Sequence, residues 1–234
     1  MTDSTPHTPL PSVDIILPTL NRPARLREAL AWIRATSPFA GVIVVTPDRE
    51  SLAIARDFGY PTIRAGGTGV QKWNLGAEAS TADWLTNGAD DSFHQAGWFE
   101  AALAVDRGGY VGLRDAADST HEWFEHYLLS RAFRTQHAGG CLMLPCYQSQ
   151  YADVEMHWRA VRAGVVAATS AIVVDHRHWT NGGAAFDATY QLSRQAAAGD
   201  SATFERRRRA GVPDDFAAHP HDALLAALEY EGIG

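Results

Sequence analysis

Two short polar segments stand directly behind apolar runs, and their side chains are of the kind that hold metal ions. Asn87-Gly88-Ala89-Asp90-Asp91-Ser92 follows Trp84-Leu85-Thr86 and puts adjacent carboxylates where a strand ends. Hard divalent cations take such oxygens as ligands. The same doublet also suits a loop in which one aspartate caps the next helix and the other is solvated. Asp175-His176-Arg177-His178 follows Ala171-Ile172-Val173-Val174, so His176 or His178 would also reach a strand exit. An imidazole there is either a partner for Asp91 or a hydrogen-bonded surface group.

Asp153 opens a helix expected over Ala152 to Ala163. In a first turn the helix dipole stabilises an anion, which suits a capping carboxylate and equally a general base aimed into a cleft. On that helix Val154, Trp158 and Val161 read as the buried stripe, and Glu155 with Arg159 as an i,i+4 ion pair. Gly66-Gly67-Thr68-Gly69 lets backbone amides approach a phosphate, although the third glycine of a dinucleotide fingerprint and the Walker lysine pattern are both missing. Arg64, Lys72 and Asn74 are the nearby side chains suited to neutralise or position a diphosphate, or to lie on the surface. Pro18-Thr19-Leu20-Asn21-Arg22 has the composition of a tight ligand loop or of a turn.

Strands and helices must alternate to bring these groups together. Val13 to Leu17 is an apolar strand ended by Pro18, and Pro23 opens a helix with Leu26, Ala29, Leu30 and Ile33 at helical spacing. Val42 to Val45 is a second strand, and Asp48 caps a helix that stops at Gly59. A short strand at Thr62-Ile63, a helix from Val70 to Ala79 and a strand at Trp84 to Thr86 continue the alternation. The second half is less regular: strands at Tyr110 to Leu113 and Gly140 to Leu144, the Ala152 helix, and a strand pair from Val165 to Val174. Beyond Trp179, Ala-rich and Arg-rich sequence predicts two or three outer helices. Continuously apolar strands between helices predict an α/β, Rossmann-like, mostly parallel sheet covered on both faces, with ligands at the strand C-terminal ends.

A chain of 234 residues with 46% hydrophobic and 20% charged side chains can bury one substantial core without staples. Residues 1 to 12 read as a disordered leader without the features of a secretory signal, and the apolar runs are too short to span a bilayer, so the expected setting is cytoplasmic. Cys141 and Cys146 read as buried thiols. A net charge of −7 argues against indiscriminate nucleic-acid binding, and Arg206 to Arg209 reads as a solvated helix face.

The order of Val13-Asp-Ile-Ile-Leu-Pro-Thr-Leu-Asn-Arg22, Val42 to Val45, Lys72-Trp-Asn-Leu-Gly76, Asp90-Asp91 and Ala152-Asp-Val-Glu-Met156 resembles family-2 glycosyltransferases with the GT-A fold. The resemblance covers about Val13 to Trp179, implying a catalytic domain over 13–179 and a helical extension over 180–234. It implies a nucleoside-diphosphate sugar donor, UDP-sugar by preference, held by Pro18, Thr19, Asn21, Arg22, Asp48 and Asp90 together with Arg64, Lys72 and Asn74. It further implies a divalent cation, Mn2+ or Mg2+, on Asp91 with His176 or His178, and Asp153 as the base for an inverting transfer to a hydroxyl. Gly139-Gly140-Cys141 looks like the family's glycine-containing acceptor-side segment, and the choice of both donor sugar and acceptor depends on loops around Trp98, Trp123 and Tyr147. Two positions depart from the family pattern: Ala89 replaces the first acid of Asp-x-Asp, and Ala152 replaces the Glu of Glu-Asp. The compact tail looks similar to phage-type members, for which the acceptor would be a saccharide or a hydroxylated pyrimidine in DNA; no membrane partner is implied, and a homodimer is compatible. The rival readings are a sugar-nucleotide nucleotidyltransferase, which lacks its glycine-rich loop here, and a catalytically degenerate nucleotide- or carbohydrate-binding module.

Overall fold

A computed structural model describes residues 10–116 and 123–211. The elements in chain order are β1 (Val13–Pro18), α1 (Pro23–Thr36), β2 (Gly41–Thr46), α2 (Arg49–Asp57), β3 (Thr62–Arg64), α3 (Gly69–Ala79), β4 (Trp84–Asn87) and β5 (Ser92–His94). They continue with α4 (Trp98–Leu103), β6 (Tyr110–Leu113), β7 (His126–Ser130), α5 (Arg131–His137), α6 (Ala152–Ala163), β8 (Val166–Ala168), β9 (Val174–His176), a 3-10 turn (Trp179–Asn181) and α7 (Ala188–Arg209).

Seven strands form one sheet in the order β3-β2-β1-β4-β7-β6-β8. All neighbours in it are parallel except at β7, which runs antiparallel to β4 and β6. Side chains alternate along β1, so Val13, Ile15 and Leu17 pack with α1, α2 and α4, whereas Ile16 packs with α3, α6 and α7 on the other face. Burying both faces explains why these strands are continuously apolar, each large side chain contributing about 1.5–3 kcal/mol. Gly76 of α3 lets that helix sit close to the sheet, since a Cβ there would collide with a methyl of Ile16.

The expected alternation up to Leu113 is present, and several expectations beyond it need correction. Gly140 to Leu144 is not a strand: Gly139 and Gly140 take positive φ, and Asn74 holds the following backbone with its side-chain amide. Leu142, Met143 and Leu144 are apolar because this loop is buried in the core. The strands between Val165 and Val174 do not pair with each other, for β8 extends the main sheet beside β6 and β9 pairs with β5 in a separate two-stranded sheet. Past Trp179 the described residues hold a 3-10 turn and one long helix; the two or three helices expected there extend into residues 212–234, which, like residues 1–9 of the expected leader, lie outside the described residues. Among the described residues no helix is long and apolar enough to cross a membrane.

Of the expected stripe on α6, Val154 is buried and Trp158 partly so, but Val161 is exposed, and Ala152, Met156 and Ala160 complete the buried face. The helix is rotated from the expected face because Glu155 and Arg159 are themselves buried. Glu155 accepts hydrogen bonds from Tyr147 (2.6 Å), from Arg159 (2.9 Å) and from Arg207 (2.7 and 2.9 Å). One member of the expected solvated arginine run thus turns inward and fastens α7 to α6, while Arg206, Arg208 and Arg209 stay exposed. Cys141 and Cys146 are free and buried, and burial pushes their thiols up to about 11 and about 12. Glu155→Ala leaves two guanidinium groups without their shared anion in the interior, so it should lower unfolding free energy by about 3–5 kcal/mol in urea titration.

Candidate functional site

The C-terminal ends of β1 and β4 open on a cleft of about 900 Å³. Because β7 is antiparallel, its first residue, His126, pairs with Leu113 and arrives at this same rim. Asn87 secures that arrival, donating to Glu125 O (2.7 Å) and accepting from Tyr127 N (3.0 Å). The β5–β9 ribbon sets Ser92 opposite His176, which carries the imidazole to the aspartate doublet.

Asp90 and Asp91 are both buried. Asp90 accepts from Thr19 (2.5 Å) and from Arg22 (3.0 Å), which itself makes a two-pronged pair with Asp187 at 2.8 and 2.7 Å. Burial and the neighbouring Asp91 push the Asp90 carboxyl up, against the pull of Arg22 and Thr19. Asp91 faces His176, its Oδ1 lying 3.7 Å from Nε2, and its Oδ2 accepts from the Tyr190 hydroxyl at 2.6 Å. Burial raises Asp91, but His176, Tyr190 and Arg22 together outweigh it and leave the carboxyl below the ordinary range. The ring of Tyr190 also lies 4.0 Å beneath the Arg22 guanidinium.

His176 is bracketed by acids: Nδ1 lies 3.1 Å from Glu125 and 3.4 Å from Asp115. Its imidazolium is favoured by them and by Asp91 despite burial. His126 packs edge-on against it at 4.7 Å between ring centroids. Asp115, Glu125 and His126 are site residues that the sequence reading missed. Asp115 stands just behind the apolar run Tyr110 to Leu113, the same signal that drew attention to Asp91. Glu125 and His126 precede an apolar run, and nothing in the composition marks that strand as antiparallel.

Between His176 and His178, it is His176 that faces Asp91; the Nδ1 of His178 is engaged by Thr180 and its ring rests on Tyr190. Asp153 lines the cleft from the first turn of α6, and burial with the charge of Glu125 raises its carboxyl to about 7, while local backbone N–H groups pull it partway down. Pro18, Thr19, Arg22 and Lys72 line the same cleft, with the buried Lys72 ammonium donating to Thr19 O at 3.2 Å. Desolvation lowers the Lys72 pKa, and Asp90 and Asp48 oppose it. Gly67, Thr68 and Gly69 reach the lining at the start of α3, where Thr68 and Gln71 form a reciprocal capping box.

Four expected donor-binding residues do not line it. Asn74 spends its amide on the 142–143 backbone, and Arg64 is exposed beyond β3. Asp48 caps α2 and accepts from Thr46 and from the backbone of Asn21, itself in a left-handed conformation at φ 54°, so both brace the loop from behind. Trp98 and Tyr147 are buried in the core, whereas Trp123 lines the cleft together with Trp73.

A carboxylate and an imidazole nitrogen separated by 3.7 Å fit two ligands of one divalent cation at roughly 2.1 Å each. Asp91 and His176 are thus a suitable pair, and Ala89 contributes no carboxylate to them.

No family model matches this chain, and no curated protein matches it in sequence. Solved structures do match in fold. Glucosyl-3-phosphoglycerate synthase of Mycobacterium tuberculosis, in a complex with Mn2+, UDP and glucosyl-3-phosphoglycerate, superposes with TM-score 0.60 at 13% identity, covering 87% of this chain and 81% of that one. The mannosyltransferase PcManGT of Pyrobaculum calidifontis, with GDP-Man and Mn2+, gives TM-score 0.57 at 14% identity, covering 95% and 87%. S. aureus TarS gives 0.55 at 10% identity over 70% of this chain; the match spans only 36% of the TarS chain. The sheet and its covering helices have the GT-A fold.

Tyr190→Phe removes a 2.6 Å hydrogen bond to a buried carboxylate. A bond of that charged kind contributes about 1.5–3 kcal/mol, and guanidinium unfolding should show a stability loss of that size.

Proposed function

We propose that this chain is a glycosyltransferase that moves a sugar from a nucleoside-diphosphate donor, UDP-sugar in the first instance, to a hydroxyl acceptor with inversion. The observation that carries this reading is the convergence in one cleft of a buried aspartate pair, a facing imidazole, a buried lysine and a raised carboxyl on α6. The ligands of the fold neighbours, UDP with Mn2+ and GDP-Man with Mn2+, support it.

A divalent cation on Asp91 and His176 would supply Lewis-acid stabilisation of the charge that builds on the departing diphosphate. The chain's own groups account for the rest. Lys72 and the N-terminal end of α3 present positive potential to a diphosphate in the cleft. Arg22 compensates Asp90 and, through Asp187, ties α7 to the donor-side loop. Trp73 and Trp123 offer flat apolar surfaces to a base or a sugar ring. Asp153 takes the proton from the acceptor hydroxyl as its oxygen attacks the anomeric carbon on the face opposite the leaving group. A saccharide is the proposed acceptor and the cytoplasm the proposed setting.

Incubation with a panel of sugar nucleotides and Mn2+ should release nucleoside diphosphate without pyrophosphate. Pyrophosphate exchange would instead identify a nucleotidyltransferase, and binding without any turnover would leave a binding module. Asp153→Asn should lower kcat on the order of a hundredfold or more in a protein with unchanged circular dichroism. The base acts unprotonated, and its pKa is raised to about 7. kcat/KM should therefore climb between pH 5 and 8 with a midpoint near 7, and a flat profile would remove Asp153 from that role.

A further inference from the structure

One buried group has no part in the transfer as described. His126 is 4% exposed, and among the described residues neither of its ring nitrogens has a hydrogen-bond partner. An imidazole hidden without a partner for its N–H or its lone pair carries the full cost of desolvating both groups. It is nonetheless held firmly, at the head of β7 beside the Asn87 clamp. Its potential ligand atom lies with those of Asp115, Glu125 and His176 in a set whose members are all within 4.8 Å of one another. Three strands meet to build that set: Asp115 follows β6, Glu125 and His126 lead into β7, and His176 ends β9.

His176 has two chemically distinct sides. Nε2 faces Asp91 at 3.7 Å, while Nδ1 faces Glu125 and Asp115 at 3.1 and 3.4 Å. The in-plane lone pairs of the two ring nitrogens diverge, so an ion beside Nε2 is not the ion beside Nδ1. We propose that Asp115, Glu125, His126 and the Nδ1 side of His176 form a second cation site, separate from the Asp91 side, that takes a divalent transition metal.

Donor chemistry selects the class of ion. Two imidazole nitrogens with two carboxylates suit Zn2+, Co2+, Fe2+ or Mn2+, whereas Mg2+ and Ca2+ prefer oxygen-only surroundings. Four protein ligands close a coordination sphere, as in sites that order structure. The occupied set would satisfy His126 through its ring nitrogen. A protonated His176 alone accounts for the acids on either side of it, but it leaves His126 unpartnered, and that residue decides between the two accounts. The inference stands apart from the transfer reading, because the Nδ1 side requires no nucleotide.

The test is calorimetric titration of the metal-stripped full chain with Zn2+, Mn2+ and Mg2+ in the absence of nucleotide. The expected result is one transition ion per chain that Asp91→Asn retains, with Mg2+ at least about tenfold weaker. His126→Ala should weaken transition-ion binding by on the order of tenfold or more, the range seen when a metal site loses one of its supporting groups. With Co2+ as the probe, the visible absorption of the parent protein should change in His126→Ala. If that variant does not fold, as judged by circular dichroism, His126→Gln keeps most of the volume while losing the imidazole and takes its place. Isotherms of parent and His126 variant that coincide, a parent that binds no transition ion, or binding abolished only by Asp91→Asn would each overturn the second site. None of these readouts depends on glycosyl transfer, so an inactive protein that binds Zn2+ as described would refute the function and leave the site standing.

Discussion

Two adjacent carboxylates, Asp90 and Asp91, are buried side by side at the rim of the sheet, and most of the surrounding architecture answers that one electrostatic constraint. Like charges in a poorly solvated setting repel strongly and drive each other toward protonation. Here their compensation arrives from four directions: Thr19 and Arg22 from the loop after β1, Arg25 from α1, His176 from β9, and Tyr190 from α7. The two acids are driven apart in consequence, Asp90 upward and Asp91 downward. An ionised Asp91 beside an imidazole is what a cation needs; an Asp90 tied to Arg22 and Thr19 is occupied with holding the loop after β1.

The same constraint explains why α7 belongs to the site and is more than an outer layer. Its N-terminal end binds the β1 loop through Asp187 and Thr189 and reaches Asp91 through Tyr190, and farther along Asp200 accepts from the backbone N–H groups of Gln148, Ser149 and Gln150. Those three residues line the cleft and lead into α6, where Asp153 stands two residues past the left-handed Tyr151. The helix that holds Arg22 and Asp91 therefore also braces the segment that presents Asp153. Near its far end Arg207 locks into the buried Glu155, so the brace is anchored at both ends.

What the sequence made legible follows from how local each signal is. The strands β1 to β4 and helices α1 to α3 are betrayed by apolar runs, by Pro23 at a helix start and by the cap Asp48, all readable within a dozen residues. Asp90, Asp91 and His176 were visible because each trails such a run. The failures share a cause. Gly140 to Leu144 is apolar for the sake of burial, and burial alone does not distinguish a strand from a core loop. Asn74 has the polarity of a ligand group, but its partners are backbone groups nearly seventy residues away.

The deepest gap concerns direction. A parallel strand delivers its last residue to the ligand-bearing rim, so a reader looking behind apolar runs finds what it delivers. An antiparallel strand delivers its first. β7 is the one strand of the main sheet that runs backwards, and His126 stands at its head, with Glu125 just before it. Inverting a single strand thus brings a carboxylate and an imidazole to a rim where Ala89 supplies no acid. Ligand capacity in this fold depends on which residues the sheet's geometry delivers to one edge, and the Asp-x-Asp position is only one of the places from which they come.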